Sequence, residues 1–336
     1  MRQMKKALFV GPKFHTKTNS TRFLIDILAA EYTIDFCNVE FVKGAKFHDF
    51  SEYSSKRYDV LICLQVMLTM RDLEVLSYTT GVFFPMYDGC PSPYKTEKWL
   101  CYRNFKIISF SRKLAKQLCQ IGMDVEYIQY FPKPIQTSNC GDSYGIYLWN
   151  RREEIGFECL HTVTSKLNLC KVHVHRTMDP NHEFKSFDMQ SNVSVTYSDW
   201  YEHQEDMLTD VCKYAYYMAP RPREGIGMSF LEAMAAGRCV IAPNESTMNE
   251  YITNGVNGCL YELNSPKPVV VNNVRRLQEN ASAFIEEGYY KWLLDSAQII
   301  RWIQESPTVN SRRFNFWLMF RFLRSPVTVL RRLLQK

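Results

Sequence analysis

The 336-residue sequence contains no apolar run that approaches the roughly eighteen residues needed to span a bilayer. Its 11 cysteines are odd in number, scattered and never spaced as C-x-x-C, so neither a disulfide framework nor a zinc site is indicated. Free thiols in a reducing cytosol are the simplest account. The N-terminal segment is basic, but its apolar core is too short for a signal peptide and instead predicts a first strand over Ala7–Val10.

Acidic residues are absent from the C-terminal end of the chain. From Asn310 onward there are seven basic residues and no acidic one. The formal net charge is +6, whereas the rest of the chain carries 34 basic and 35 acidic residues. The basic character therefore belongs to the tail.

Strand and helix patterns alternate along most of the sequence. Short apolar runs predict strands, and the segments between them, such as Arg112–Ile121, have helical spacing. This alternation is typical of a parallel sheet covered by helices. A stretch rich in proline, serine and glycine, Pro132–Ser143, predicts a linker between two Rossmann-like domains with a ligand between them. The strands predicted after the first one are Val60–Leu64, Val82–Phe84, Ile107–Ser109, Tyr127–Tyr130, Gly145–Trp149, Lys171–His175 and Val193–Thr196.

The most informative stretch runs from Pro220 to Leu260. The preceding run YAYYMA predicts a buried strand, SFLEAMAA predicts a helix that stops at Gly237, and CVIA predicts another strand. The segment GIGM therefore lies where a strand leads into a helix. Amide groups at a helix start lack intrahelical partners and favour negative charge, and glycines allow close approach of a phosphate. This turn thus suits a phosphate-bearing sugar, with Glu224 and Glu232 at its edges.

Both glutamates have simpler interpretations. Ser229 and Glu232 form the pattern S-x-x-E, so Glu232 could close a capping box. Glu224 could be a solvated loop carboxylate. The spacing of the two residues does not by itself decide between these interpretations and a ligand site.

The ordered context of the stretch resembles the donor-site signature of GT-B glycosyltransferases of family 4, whose hallmark is E-x7-E. The likeness continues through EAMAAG and the following strand to NEYITNGVNGCLY. The resemblance implies a GT-B fold, with two Rossmann-like domains and the active site in the cleft between them. It also implies that Glu224 holds donor-sugar hydroxyls, that Glu232 holds the ribose, and that the amides of Ile226, Gly227 and Met228, beside Gly225, face the phosphates.

The resemblance also suggests how the chain is divided. Residues 1–135 would form an acceptor-side Rossmann-like domain, 136–145 a linker, and 146–282 the nucleotide-sugar domain. In GT-B enzymes a late helix crosses back to the first domain. The helical pattern of Ala281–Gln304 could supply it, and residues 283–306 are assigned to this crossing segment. Residues 307–336 would form the tail.

Cations for the donor diphosphate are less clearly indicated. Relatives place two cations against the pyrophosphate: an arginine and, some residues later, a lysine that precedes a glycine. In the segment NRREEIG of this chain, the arginine is Arg151 or Arg152. Ile155 occupies the position where the lysine is expected. We expect Arg152 to act with Glu224 in catalysis, because cations stabilise a departing diphosphate. Arg223 could compensate for the lysine. A solvated helix start for Arg152 and a surface position for Arg223 remain open.

The first domain offers fewer candidates. Its loop GPKFHTKTNS has one glycine, so a phosphate role there is doubtful, and FFPMYDGC has Tyr87 and Asp88 where relatives often carry a histidine. His15 is an alternative, and each could be an ordinary loop residue. His173 and His175 alternate on a predicted strand, where packing explains them.

The predicted chemistry is retaining transfer from a nucleotide-diphosphate sugar, which is a substrate rather than a cofactor. The retaining outcome is implied by the resemblance, because families with E-x7-E resemble retaining enzymes. The sequence also has no D-x-D, which is the metal-ligating pattern of the other main glycosyltransferase fold. No metal site is therefore expected. Two alternatives are a nucleotide-sugar epimerase on the same fold and a non-catalytic GT-B subunit attached to a membrane.

The tail predicts an amphipathic helix. At about 100° per residue, an apolar stripe that includes Phe316 lies opposite a set of arginines, with Pro326 dividing the helix. Such a helix suits an anionic membrane interface. The apolar stripe could instead pack on the protein's own core. A nucleic-acid surface is a poorer match, because it would not contact the apolar stripe. Attachment would place a cytoplasmic protein on the inner face of the membrane, acting on a glycan or lipid-linked acceptor in bacterial surface polysaccharide assembly. The predicted membrane residues are Phe316, Trp317, Phe320, Arg321, Arg324, Arg331 and Arg332.

Overall fold

The computed structural model describes residues 4–40, 48–137, 139–186, 192–308 and 311–324. The chain divides into two compact units. The first comprises residues 1–128 together with 294–336, and the second comprises residues 129–293.

The first unit is built on a sheet of six parallel strands in the order β2-β1-β3-β4-β5-β6. Apolar side chains of these strands and of α5 form its buried core. The strands are β1 (Lys5–Pro12), β2 (Tyr32–Val39), β3 (Arg57–Leu64), β4 (Ser77–Phe84), β5 (Lys106–Ser109) and β6 (Val125–Tyr127). The helices between them are α1 (Phe14–Thr18), α2 (Arg22–Ala29), α3 (Ser51–Ser54), α4 (Met70–Glu74) and α5 (Arg112–Gln120).

The second unit repeats this plan with a sheet in the order β12-β11-β10-β7-β8-β9, again all parallel. Its strands are β7 (Asp142–Asn150), β8 (Lys171–Arg176), β9 (Ser194–Ser198), β10 (Tyr214–Met218), β11 (Cys239–Pro243) and β12 (Cys259–Tyr261). Its helices are α6 (Phe157–Thr164), α7 (Gln204–Val211), α8 (Met228–Ala235) and α9 (Met248–Tyr251).

The expectation of two Rossmann-like units is confirmed. Buried apolar runs form the strands because a parallel sheet is covered on both faces. Two strands, β2 and β12, were not predicted: β2 mixes buried and exposed positions, and β12 has three residues. The strand predicted at Tyr127–Tyr130 lies slightly earlier, at Val125–Tyr127, and β7 begins at Asp142, inside the predicted linker.

Each sheet has a point where the direction of strand addition reverses. In the first unit this point lies between β1 and β3, and in the second it lies between β7 and β10. In open parallel sheets, ligands bind outside the carboxyl ends of the strands at such a switch point. The segments that follow β1, β3, β7 and β10 are therefore where a site is expected.

Two helices end the described part of the chain. The helix α10 (Val274–Gln304) has 31 residues and begins seven residues before the predicted Ala281; its residues up to 293 belong to the second unit and those from 294 to the first. The helix α11 (Ser311–Arg324) follows. Among the described residues, no helix combines the length and the apolar character needed to cross a membrane.

The helix α11 is held to the first unit by one side. Phe314 is fully buried in the core of that unit, and Trp317 packs against the same core, with its ring 5.5 Å from that of Tyr94. Trp317 Nε1 also donates to the carbonyl of Gln120 at 3.1 Å. Trp317, predicted to face a membrane, thus faces the protein instead, because it lies one turn from Phe314.

The remaining membrane predictions divide into two groups. Phe316 and Met319 are more than half exposed. The side chains of Phe320, Arg321 and Arg324 lie outside the described part of the structure, as do Arg331 and Arg332.

Candidate functional site

The loop between β10 and α8 carries Glu224 at the switch point of the second sheet. Glu224 is 6% exposed, and its backbone N–H donates to the carbonyl of Ser246 at 3.1 Å. Two residues after Glu224, the carbonyl of Ile226 accepts a hydrogen bond from the hydroxyl of Thr247 at 2.8 Å. The loop after β11 therefore fixes this turn at two points, so Glu224 is not a solvated loop residue.

Gly227 sets the start of the helix α8. It is the N-cap residue with φ +86°, a left-handed conformation, and a Cβ there would lie 2.0 Å from Cε1 of Phe230. The helix begins at Met228, so Ser229 is its second residue and no side chain caps its start. The capping-box interpretation of Glu232 is therefore wrong. The backbone amides of residues 226–228 lie at this helix start, where negative charge is favoured.

Glu232 lies one turn along the helix and is partly buried. Gln204 Nε2, at the start of α7, donates to its Oε1 at 2.6 Å. Burial raises the pKa of Glu232 to about 7, and the hydrogen bond from Gln204 opposes this shift only in part. At neutral pH the carboxyl group is thus uncharged for part of the time, and in that state it can donate as well as accept.

Three arginines converge on one buried carboxylate in what we call the arginine cluster, formed by Arg151, Arg152, Arg221 and Asp179. Arg151 Nε and Arg152 Nε lie 2.9 and 2.7 Å from Asp179 Oδ1 and Oδ2. Arg221 contacts both oxygens, with Nε 2.8 Å from Oδ2 and Nη2 2.7 Å from Oδ1. Because β7 leads to two of these arginines and β10 to the third, the cluster lies at the switch point.

The electrostatics of the cluster favour cations. Burial alone would raise the pKa of Asp179, but the hydrogen bond from Arg221 and the charges of the three arginines outweigh it and hold the pKa at about 2. Arg221 Nη1 also lies 3.6 Å from Glu224 Oε2. Three guanidinium groups therefore meet two carboxylates, which leaves an excess of positive charge beside the turn at Gly225–Met228.

The cluster extends into the segment that follows β7, where Glu153 is exposed. Arg152 Nη1 donates to Nε2 of His182 at 2.6 Å, and Nδ1 of His182 contacts Glu153. His182 and the backbone N–H of Glu183 hold the pKa of Glu153 at about 2. The ligand atoms of Glu153, Glu154 and His182 lie within 4.8 Å of one another, but both glutamates are exposed, and Glu153 already contacts His182 and the backbone N–H of Glu183.

Arg221 and Asp179 were not predicted from the sequence. Arg223, which was, is exposed, whereas Arg221 is the arginine that contacts Glu224. Ile155, at the position expected to hold a lysine, is fully buried. The sequence signal for Arg221 was its flanking prolines in PRPRE, but Asp179 lies 42 residues away and carried no comparable signal.

In the first unit, His15 lies at the switch point. Its Nδ1 is 2.5 Å from Oγ of Ser20, and its Nε2 is 3.1 Å from Oε1 of Gln65, which follows β3. Burial lowers the pKa of His15, with the hydrogen bond to Gln65 opposing the shift. Gln65 has φ +61°, an unusual conformation for a residue other than glycine.

Tyr87 and Asp88 follow β4 at the same edge of the first sheet. The Tyr87 ring lies under Lys113 Nζ, 5.2 Å from the ring centroid, and packs against the core of the unit. Both side chains are partly buried. The three first-unit candidates thus follow β1 and β4, the two strands on either side of β3 in the sheet.

His173 and His175, which the sequence explains by packing on a strand, lie among hydroxyl and aromatic side chains. His173 contacts the hydroxyls of Thr196 and Ser198 at 2.8 Å, and its ring lies 5.0 Å from that of Tyr147. His175 contacts Ser198 and Thr177 at 3.0 Å. Burial lowers the pKa of both rings, that of His175 to about 4.

Comparison with known proteins gives a family match over part of the second unit. Residues 169–280, which include the turn, the helix α8 and two members of the arginine cluster, match the family model of the glycosyl transferases group 1. No curated protein sequence matches the chain.

Several solved structures share the fold at low sequence identity. Sucrose-phosphate synthase from Thermosynechococcus elongatus has a TM-score of 0.61 at 11% identity, covering 88% of this chain and 98% of its own. HepE from Anabaena in complex with UDP-glucose has a TM-score of 0.59 at 12% identity, covering 88% and 99%. A glycosyltransferase from Rickettsia africae has 0.54 at 12%, covering 89% and 99%. The fold is therefore GT-B, and the family match together with it supports a glycosyltransferase.

Proposed function

We propose that this chain is a retaining, metal-independent glycosyltransferase that moves a sugar from a nucleotide-diphosphate donor to a glycan or lipid-linked acceptor. The observation that carries the proposal is the arginine cluster beside the glycine turn and the start of α8. Its excess positive charge and the helix amides are the groups that stabilise a diphosphate.

Different residues of the second unit bind different parts of the donor. Arg151 and Arg152 contact the diphosphate, together with the amides of residues 226–228. Glu224 accepts from hydroxyls of the donor sugar, and the loop after β11 holds it for this task. Glu232 holds the ribose hydroxyls. HepE, which shares the fold, has been solved with UDP-glucose, and this supports a nucleotide sugar as the donor.

The chemistry follows from charge. When the bond between the anomeric carbon and the diphosphate breaks, negative charge develops on the departing oxygen, and guanidinium groups placed there in advance stabilise that charge. The arginines thus perform the task that a divalent cation performs in other transferases, which supports metal independence. The retaining outcome rests on the resemblance to E-x7-E enzymes. His15, Tyr87 and Asp88 are the candidates for acceptor contacts.

The tail supports a membrane-associated acceptor. Phe316 and Met319 are exposed on α11 while Phe314 and Trp317 hold the helix to the protein. Exposed apolar groups in a segment with seven basic and no acidic residues suit an anionic lipid surface. The proposed location is the inner face of the cell membrane, in surface polysaccharide assembly.

Thermal stabilisation and donor turnover test the proposal. A panel of nucleotide-diphosphate sugars is screened for one that raises the melting temperature of the wild-type protein, and that donor is then assayed for turnover. We expect Glu224→Gln to lower turnover by at least about a hundredfold, because a buried group that binds the reacting sugar is lost. Glu202→Gln, at an exposed position of the same unit, should behave as wild type.

Each outcome of the screen has a distinct meaning. If no nucleotide sugar shifts the melting temperature and Glu224→Gln changes nothing, the proposal is contradicted. Conversion of the donor to an epimer without any acceptor would identify an epimerase. Donor binding without turnover in the presence of acceptor extracts would identify a non-catalytic subunit.

A further inference from the structure

Arg221 makes the most complete contact within the arginine cluster. Its Nε and Nη2 each donate to a different oxygen of Asp179, at 2.8 and 2.7 Å. This paired geometry fixes the plane of the guanidinium group, which a single hydrogen bond would not. Arg151 and Arg152 each contact only one of the two oxygens, so Arg221 is the best oriented of the three.

The backbone also restrains Arg221. Pro220 and Pro222 flank it, and each proline fixes its own φ and restricts the residue before it. Its side chain is 19% exposed, so it is mostly enclosed yet reaches solvent. A long cationic side chain usually loses conformational entropy when a ligand binds. The Arg221 side chain is already largely ordered in the folded protein, so ligand binding should cost it little further entropy.

Arg221 is also the link between the cluster and the turn. Its Nη1 lies 3.6 Å from Oε2 of Glu224, which is three residues before the left-handed Gly227. The neighbouring Arg223 is exposed, and Ile155 is fully buried and uncharged. Of these three candidate positions for a second cation, Arg221 is the one that holds a guanidinium against both Asp179 and Glu224.

We propose that Arg221 is the second cation that contacts the donor diphosphate, and that Asp179 is the positioning residue that orients it together with Arg151 and Arg152. This rests on the proposed function, since it names the cation that completes the same donor site. Asp179 does not touch the donor. It fixes one edge of each guanidinium group, so that the arginines meet the phosphate oxygens without rearranging.

Binding of inorganic pyrophosphate, measured by calorimetry at fixed ionic strength, tests Arg221. Arg221→Gln should weaken binding by about tenfold or more, because a charge-assisted hydrogen bond to phosphate is lost. Arg221→Lys keeps the charge but not the planar fork and should recover only part of the affinity. Arg223→Gln is the matched control, two residues away, and should bind within about twofold of wild type.

Asp179→Asn separates positioning from charge. The substitution removes a negative charge and makes the site more cationic, so electrostatics alone would strengthen pyrophosphate binding. If Asp179 positions the arginines, binding should instead weaken by about tenfold, and the KM for the donor should rise more than kcat falls. Asp179→Glu restores the charge and should recover part of the affinity. Pyrophosphate binding to Asp179→Asn at or above the wild-type affinity would overturn the positioning role.

A measurement on the wild-type protein covers the case in which Asp179→Asn does not fold. The side-chain Nε–H resonance of Arg221, assigned by its absence in Arg221→Lys, should shift on titration with pyrophosphate, whereas that of Arg223 should not. An unchanged Arg221 resonance at saturation would overturn the inference.

Failure of the proposed function can be distinguished from failure of the inference about Arg221. If wild type binds neither pyrophosphate nor any nucleoside diphosphate, the proposed function fails and the inference fails with it. If wild type binds pyrophosphate and Arg152→Gln weakens binding while Arg221→Gln does not, the proposed function stands and only the inference is overturned.

Discussion

The side-chain amide of Gln204 donates to Oε1 of Glu232 at 2.6 Å and holds a carboxyl group whose pKa burial raises to about 7. Because the folded-state pKa lies above the value of about 4.5 expected for the unfolded chain, the folded state binds more protons between these two values. Stability contributed by the protonated group is complete below pH 4.5 and is lost as pH rises through 7.

We therefore expect Glu232→Gln to stabilise the protein above pH 7 and to have little effect near pH 4.5. Glutamine has the shape of the neutral carboxyl group and does not ionise, so the gain should be about 1–3 kcal/mol at pH 8. Chemical denaturation of both proteins across this range measures it. Glu158→Gln, at an exposed position on α6, should follow the wild-type profile. A gain for Glu232→Gln that did not depend on pH would contradict this account.

Gly227 and Gly255 provide a comparison of two left-handed glycines. Alanine at either position must adopt a positive φ, at +86° or +73°, which costs about 1–2 kcal/mol. A Cβ at Gly227 would also lie 2.0 Å from Phe230, whereas at Gly255 no heavy atom lies within 4 Å. Gly227→Ala should therefore destabilise the protein by clearly more than Gly255→Ala, measured by urea unfolding, and should weaken donor binding. Equal losses would show that the Phe230 contact relaxes without cost.

Phe314 and Phe316 separate the two sides of α11. Phe314 is fully buried and Phe316 is 54% exposed. Phe314→Ala should destabilise the protein by about 3–5 kcal/mol, and Phe316→Ala by less than about 0.5 kcal/mol. Flotation with anionic liposomes measures membrane binding. The double variant Phe316→Ala and Met319→Ala should bind the liposomes more weakly without loss of stability. Unchanged flotation of the double variant would count against a membrane role for this side of the helix.

His175 should make the protein sensitive to acid. Burial lowers its pKa from 6.5 to about 4, so its stabilising contribution is complete above pH 6.5 and is lost as pH falls through 4. His175→Asn should be less stable than wild type at pH 7.5, because it loses contacts to Ser198 or Thr177, but should lose less on acidification. His161→Gln, at an exposed position on α6, serves as the control in the same thermal melts. An acid transition as steep in His175→Asn as in wild type would assign the sensitivity to other groups.

The strands, the turn and the helix α8 could be predicted because their signals are local. An apolar run followed by glycines and strong helix formers determines its own structure, and the observed bounds differ from the predicted ones by a few residues. The short β12 has too few residues to show a pattern. The start of α8 was misplaced because Ser229 suggested an N-cap, whereas the conformation of Gly227 begins the helix one residue before it.

The site itself was only half predictable. Glu224, Arg151 and Arg152 could be proposed from motifs, but Asp179 joins them only through folding, which brings the ends of β7, β8 and β10 together. No spacing rule connects a loop aspartate to arginines 28 and 42 residues away. Arg221 was overlooked in favour of Arg223, because sequence alone does not show which of two nearby arginines turns inward.

One carboxylate that serves three guanidinium groups also constrains how this chain can change. Loss of Asp179 leaves three cations crowded together, and loss of one arginine alters the environment of the other two, so the effect of each substitution depends on the residues at the remaining positions. Such dependence makes stepwise replacement costly and simultaneous replacement tolerable. Across related chains, these four positions are therefore expected to be inherited together or exchanged together.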